Sequence, residues 1–139
     1  MSESSFTYRS ITRATASKLI AETIAASERI GFEAVVAVVD AAGNLKALER
    51  SDRSSYFAVS AATDKAYTAA AFGSPTDKWV DIIEDRDSSN VCVRPRFVAA
   101  AGGFSITEDG QIIGGLGVSG GTWSQDQQAA EGTLRTIAE

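Results

Sequence analysis

The apolar positions of this chain follow two periodicities, and the switches between them mark out its elements. Ala16, Leu19, Ile20 and Ile24 recur every three or four residues, the spacing of a helix face, between a cap at Ser10 or Thr12 and a stop at Gly31. Lys18, Glu22 and Glu28 fall on the other side as a solvated surface. The unbroken, β-branched run 34–39 then reads as a strand covered on both faces. Asp40-Ala41-Ala42-Gly43-Asn44 turns the chain, with Asp40 bonding its own turn, and 45–49 returns as the second strand of a hairpin.

A second helix is predicted from a cap at Ser54 or Ser55 to about Phe72. Its alanines form two rows, Ala58, Ala62, Ala66, Ala70 and Ala61, Lys65, Ala69, and so small a face implies close packing against a sheet or a partner. Ser74-Pro75-Thr76-Asp77 supplies a cap, a proline at the first helical position and an acid three residues after the cap, predicting a short third helix with Trp79, Val80, Ile82 and Ile83 as its apolar face. The polar stretch 85–95 reads as a loop closed by Pro95, and 96–101 as a helical turn ended by Gly102-Gly103. Residues 104–107 alternate as a strand, Asp109-Gly110 is the favoured hairpin dipeptide, and Gln111-Ile112-Ile113 begins a strand that runs into the glycines of 114–121. The last helix is predicted over 124–139.

The order α-β-β-α-α-β-β-α makes two hairpins and the helices needed to cover them. The expected fold is α+β, a single antiparallel sheet flanked by helices in a profilin-like arrangement. No linker, repeat or low-complexity stretch interrupts the 139 residues, so one domain, 1–139, is expected, large enough to bury about two thirds of its unfolded surface.

Composition narrows the function classes. A net charge of −5 with both signs interspersed gives no basic stripe, so no nucleic acid partner is expected. The N-terminus lacks a basic segment followed by an apolar one, and no apolar run approaches ~20 residues, so no membrane partner and a cytoplasmic location are expected. Cys92, the single cysteine, excludes an internal disulfide and reads as a small buried hydrophobe between Val91 and Val93. Without histidine and with one thiol, no zinc site is expected, and no acidic loop has the spacing of a calcium or magnesium site.

Two short motifs overlap in the glycine stretch, and neither stands. Gly115, Gly117 and Gly120 spell G-x-G-x-x-G, but a dinucleotide site needs a further strand and an acidic residue about 20 positions on, and the sequence ends first. Gly117, Ser119 and Gly121 spell G-x-S-x-G, but that nucleophile needs a general base, normally histidine. What remains is a turn at a helix start, where backbone N–H groups favour a carboxylate, phosphate or other anion.

The candidate ligand-binding residues are therefore Gly103, Gly117, Ser119, Gly120, Gly121 and Thr122, with Tyr67. Lys65, a long cation in a row of alanines, either reaches the surface or projects into a cleft, where it would bind a carboxylate or move a proton beside a carbonyl. Asp126 is a helix-start charge that becomes an acid/base partner if it faces Lys65. Arg50 either forms an exposed ion pair with Asp52 or orients a substrate.

The sequence resembles the GlcG/HbpS family of haem-degrading or haem-binding proteins, also found as the C-terminal domain of PduO-type cobalamin adenosyltransferases. One matching stretch is Val36-Ala37-Val38-Val39-Asp40-Ala41-Ala42-Gly43-Asn44-Leu45, continuing through Glu49-Arg50-Ser51-Asp52 and from Asp64-Lys65-Ala66-Tyr67 to Phe72-Gly73-Ser74-Pro75-Thr76. The other is Gly102-Gly103-Phe104-Ser105-Ile106, Asp109-Gly110, Ile113-Gly114-Gly115-Leu116-Gly117-Val118-Ser119-Gly120-Gly121 and Asp126. The resemblance implies a sheet flanked by helices, a homo-oligomer as a dimer or larger ring, a modest pocket, and haem or a corrinoid as possible cofactors. The chain departs from the pattern at Ser51-Asp52-Arg53, where many members have Met-Asp-Gly, and across 85–96.

Haem iron usually takes a ligand from His, Cys, Met or Tyr, which leaves Cys92, Tyr8, Tyr56 and Tyr67 beside the initiator Met1. The expected function is binding of a small molecule, an anionic metabolite or a tetrapyrrole, near the glycine turn and Lys65. The alternatives are an enzyme of isomerase, lyase or hydratase type using Lys65 and Asp126 with Arg50, and a structural subunit whose alanine faces serve assembly alone.

Overall fold

The computed structural model describes residues 3–137 and, for side chains, residues 3–134. Helix α1 (Arg13–Ile30) begins where Thr12 accepts a hydrogen bond from the Thr15 N–H and ends at Gly31 with φ 107°, the left-handed conformation that suits a residue without Cβ. Strands β1 (Val35–Asp40) and β2 (Leu45–Arg50) pair antiparallel. Between them the Asp40 carboxylate accepts the N–H groups of Ala42 and Asn44, closing the turn as expected. Helix α2 (Phe57–Phe72) follows, then α3 (Lys78–Ile82), β3 (Gly103–Glu108), β4 (Gln111–Ser119) and α4 (Trp123–Ile137). The β3–β4 turn has φ of 51° at Asp109 and 78° at Gly110, the paired positive values of a tight hairpin turn. The four strands make one antiparallel sheet in the order β2-β1-β4-β3, giving the α+β architecture and element order expected.

Several local expectations need correction. Helix α2 starts at Phe57, after Tyr56, and Ser55 Oγ accepts only the Phe57 N–H; no side chain caps the helix. Helix α3 starts at Lys78 rather than directly after Ser74, because the Thr76 N–H is drawn to the Gly103 carbonyl and the preceding turn is tied to β3. The loop 85–95 contains a short 3-10 helix, Ser89–Val93. No helical turn spans 96–101: Arg96 takes φ 70° and residues 97–99 are irregular, held by Thr68, whose hydroxyl donates to the Arg96 carbonyl and accepts the Val98 N–H. Cys92 is exposed, because its 3-10 turn lies on the surface and buries none of its residues. Of the last predicted helix, Ala138 and Glu139 lie outside the described residues.

The two faces of the sheet are packed by different means. Val36 and Val38 of β1, Leu116 and Val118 of β4 and Ile106 of β3 join Leu19 and Ile20 of α1 and Ala129 and Ala130 of α4 in the main core. Each fully buried Val, Leu or Ile side chain there contributes about 1.5–3 kcal/mol. The opposite face presents Val35, Ala37 and Val39 of β1 to Ala58, Ala62, Ala66 and Ala70 of α2. Next to them in the β1–β4 register stand Ser119, Gly117 and Gly115. A Cβ on Gly117 would overlap the Ala62 carbonyl oxygen, and one on Gly115 the Ala66 carbonyl oxygen. The missing side chains let the α2 backbone settle almost onto the strand. The close-packed partner of the alanine face is thus this chain's own sheet.

Candidate functional site

Close approach of α2 to β4 carries Lys65 under the glycine turn. Its side chain is 4% exposed, and Nζ donates to the Val118 carbonyl at 2.9 Å and to Asp126 Oδ2 at 3.1 Å. Lys65 therefore does not reach the surface. Asp126, 1% exposed in the first turn of α4, accepts the Gly121 N–H on Oδ1 at 3.0 Å. One carboxylate thus joins the second helix, the glycine turn and the last helix.

Burial raises the Asp126 carboxyl above the usual carboxylate range, outweighing the lowering by the Lys65 charge and by the hydrogen bonds from Gly121 and Lys65. A buried proton acceptor beside an ammonium is an arrangement able to hold or pass a proton. The ammonium has three N–H groups, and two of them have protein acceptors among the described residues.

A cleft of about 560 Å³ opens over this pair, within the size range of small-molecule sites. Lys65, Asp126, Ser119, Gly120 and Gly121 line it together with Asp64, Ala58, Ala61, Val98 and Ala100, and Phe57 and Trp123 stand at its edge, 73% and 60% exposed. Gly120 takes φ 115°, and a Cβ there would meet the Glu33 carbonyl oxygen at 2.6 Å, so only glycine turns the chain here into α4.

The structure brings together Lys65, Asp126, Ser119, Gly120 and Gly121 and leaves the other candidates out. Gly103 and Gly117 serve helix packing. A Cβ on Gly103 would meet the Lys65 carbonyl oxygen at 2.6 Å, and its N–H already donates to Thr76 Oγ1. Thr122 is the N-cap of α4: its N–H donates to Gln125 Oε1, and its Oγ1 accepts the Gln125 N–H, a reciprocal box that engages the helix-start amides internally. With Gly121 bonded to Asp126, the turn offers fewer free donors to an anion than its sequence implies.

Tyr67 lies outside the cleft lining, with the Arg96 guanidinium 3.8 Å from its ring centroid. Arg50 is exposed and also outside the lining; Nη1 donates to the Ser54 and Asp52 carbonyls, pinning the β2–α2 connection. It does so without the Asp52 carboxylate.

Sequence reasoning missed four participants. Asp64 and Trp123 line the cleft, and each is a chain neighbour of a singled-out residue, Lys65 or Thr122. Buried Thr76 donates to the Ala100 carbonyl and accepts the Gly103 N–H, holding one wall in place; its position in the Ser-Pro-Thr-Asp motif masked that role. Arg96 donates from Nε to Asp64 Oδ1 at 3.1 Å, a pairing between residues 32 apart that has no signature in sequence.

A family model described as "Haem degrading protein HbpS-like" matches residues 11–135. A 15.0 kDa protein of Citrobacter freundii from the dhaT-dhaS intergenic region is 32% identical over 132 residues, 93% of each chain. Protein GlcG of Escherichia coli K12 is 32% identical over 104 residues, 75% of this chain and 77% of its own. The crystal structure of a PduOC:heme complex superimposes with a TM-score of 0.85 at 25% identity, over 92% of this chain and 95% of that one. Among the described residues, no helix is long and apolar enough to cross a membrane.

Proposed function

This chain belongs to the HbpS-like family, and on that premise we propose that it binds a small molecule presenting an oxyanion or carbonyl oxygen to Lys65. The supporting observation is the Lys65 ammonium at the cleft floor, with two N–H groups engaged and the third without a protein acceptor among the described residues. A ligand oxygen completes its set, and the apolar walls from Ala58, Ala61 and Val98 hold the body of the ligand.

Haem and corrinoids enter through the family and through the PduOC relative. A haem gripped through its iron does not fit this cleft. The chain has no histidine, Met1 lies outside the described residues, and Cys92, Tyr8, Tyr56 and Tyr67 are all absent from the lining. The chemistry shared by a tetrapyrrole and a small metabolite is the carboxylate.

Titration with acetate and butyrate, followed by the amide resonances of Gly120 and Gly121, tests the reading. Saturable shifts are expected, and unmoved amides at high ligand would overturn it. Hemin is expected to give a weak, non-saturating Soret shift unchanged by Cys92→Ala or Tyr67→Phe; a saturable shift lost in either variant overturns the exclusion of iron ligation.

The reading includes self-association into a dimer or larger ring. Phe57 and Trp123 support it, since large apolar side chains exposed together at a cleft mouth mark an interaction surface. Light scattering giving the monomer mass at micromolar concentration would remove this part.

The Lys65–Asp126 pair favours a second reading, acid/base catalysis of isomerase, lyase or hydratase type. An aspartate with a raised pKa, 3.1 Å from an ammonium, suits removal of a proton next to a carbonyl. Arg50, the candidate for orienting the substrate, lies outside the cleft lining. Deuterium exchange into the methyl group of pyruvate, followed by proton NMR, is expected to be faster with the native protein than with Asp126→Asn. Equal rates would leave binding alone.

A further inference from the structure

We propose that Lys65 forms an imine with small ketones and aldehydes, using Asp126 as its proton carrier, so that the cleft takes a carbonyl compound as a covalent substrate. The inference rests on the cleft reading and deepens it.

Three observations meet at the lysine nitrogen. The Lys65 side chain is 4% exposed yet lines a cleft of about 560 Å³, so its amine is withdrawn from bulk water at a place open to a ligand. Ala58, Ala61, Gly120 and Gly121 share that lining, and walls this short leave room for a carbonyl group beside the amine. The Asp126 carboxylate stands 3.1 Å from Nζ through Oδ2, while the Gly121 N–H holds its other oxygen. Burial raises this carboxyl above the usual carboxylate range, which makes it a stronger base toward the ammonium proton than a solvated aspartate.

Imine formation needs that transfer, because an ammonium has no lone pair and must lose a proton before nitrogen attacks carbon. Nζ gives one proton to Asp126 Oδ2, and its freed electron pair forms the C–N bond while the π pair of the C=O bond moves to oxygen. The oxygen then gains a proton and the nitrogen loses one, both by way of Asp126, giving a neutral carbinolamine. Asp126 protonates the hydroxyl, water departs with the C–O electron pair, and the nitrogen lone pair closes the C=N bond. The net change is ammonium and carbonyl to iminium and water, with Asp126 returned as carboxylate and no oxidant or reductant consumed. The N–H left on the iminium still has the Asp126 carboxylate or the Val118 carbonyl as acceptor.

A purely structural ion pair, tying α2 to β4 and α4, is the competing explanation. It predicts the opposite order of reactivity. Lys18, Lys46 and Lys78 are exposed, so accessibility alone ranks buried Lys65 last among the lysines.

The folded native protein is incubated with pyruvate or butanone and sodium cyanoborohydride, which reduces an iminium to a stable secondary amine, and the modified lysine is located by digestion and mass spectrometry. Lys65 is expected to be modified about tenfold faster than Lys18, Lys46 or Lys78, and Asp126→Asn, checked for folding by its thermal transition, to lose that preference. Modification of Lys65 no faster than that of the exposed lysines, with both carbonyl compounds, overturns the imine. The acetate titration of the Gly120 and Gly121 amides tells the two failures apart: saturable shifts without Lys65 modification leave the binding reading standing, and unmoved amides without it remove both. A Lys65 preference that survives in folded Asp126→Asn overturns the part given to Asp126.

Discussion

The two faces of the sheet obey opposite packing rules. Toward α1 and α4 the strands point Val36, Val38, Leu116, Val118 and Ile106, and the layers are kept apart by interlocking branched side chains. Toward α2 they point Ala37, Gly115 and Gly117, and helix meets strand nearly backbone to backbone. The first arrangement supplies most of the buried apolar surface. The second supplies less, but it brings a helix close enough for the lysine of α2 to reach a strand carbonyl and the start of α4. The lysine of the buried ion pair comes from the face that packs tightly with small residues, and the larger apolar core lies on the face that packs with large ones.

Lys65→Met is the most forceful way to break this contrast. It retains most of the side-chain volume and leaves Asp126 buried without its cation, which costs about 3–5 kcal/mol when the carboxyl is ionised. The native Asp126 has a folded pKa above its unfolded value, so its contribution to stability is fullest below the unfolded pKa and declines as pH rises through the folded one. Removing the Lys65 charge raises the folded value further. The variant's urea midpoint is therefore expected to fall furthest below the native at pH 8 and to recover much of the difference at pH 5. A deficit independent of pH would mean that the pair is not electrostatically linked.

Paired substitutions on neighbouring residues of one strand sharpen the contrast. Leu116→Ala empties the large-residue face and is expected to cost about 2–5 kcal/mol, whereas Gly117→Ala adds a single carbon to the other face and is expected to cost about 3 kcal/mol by forcing α2 outward. Chemical denaturation measures both. A Gly117→Ala loss below about 0.5 kcal/mol would mean that α2 has room to retreat and that the faces are packed alike. Thr122→Ala should have the smallest effect, about 1 kcal/mol, from loss of the α4 cap, and it should leave intact the carboxylate binding at Lys65 that the Gly120 and Gly121 amides report. A binding loss larger than the stability loss would return Thr122 to the ligand site.

The fold was legible because its elements carry local signals: the three- and four-residue spacing of α1, the β-branched run of β1, the Asp109-Gly110 turn and the alanine rows of α2. The Lys65–Asp126 meeting was legible as a condition, since a cation among alanines and an acid at a helix start each called for a partner. Less legible was which glycines face a ligand. Gly117 and Gly120 are alike in sequence, yet strand alternation presses the first against α2 and the turn opens the second to the cleft. The roles of Arg96, Thr76 and Tyr67 depend on contacts across tens of residues, and no local pattern encodes those. The segment 96–101 was misread for the same reason: Thr68 and Asp64 on α2 override its weak helical tendency.

The alternation along β4 also constrains how the sheet can assemble. Sliding this strand by one position against β1 would turn Leu116 and Val118 into the surface where α2 lies against bare backbone, and would present glycines to the pocket between α1 and α4 that Leu116 and Val118 now fill. The slipped sheet would suffer a collision on one side and a void on the other. Correct alignment of the central strands is thereby enforced twice, and any folding intermediate that has docked α2 has already chosen it.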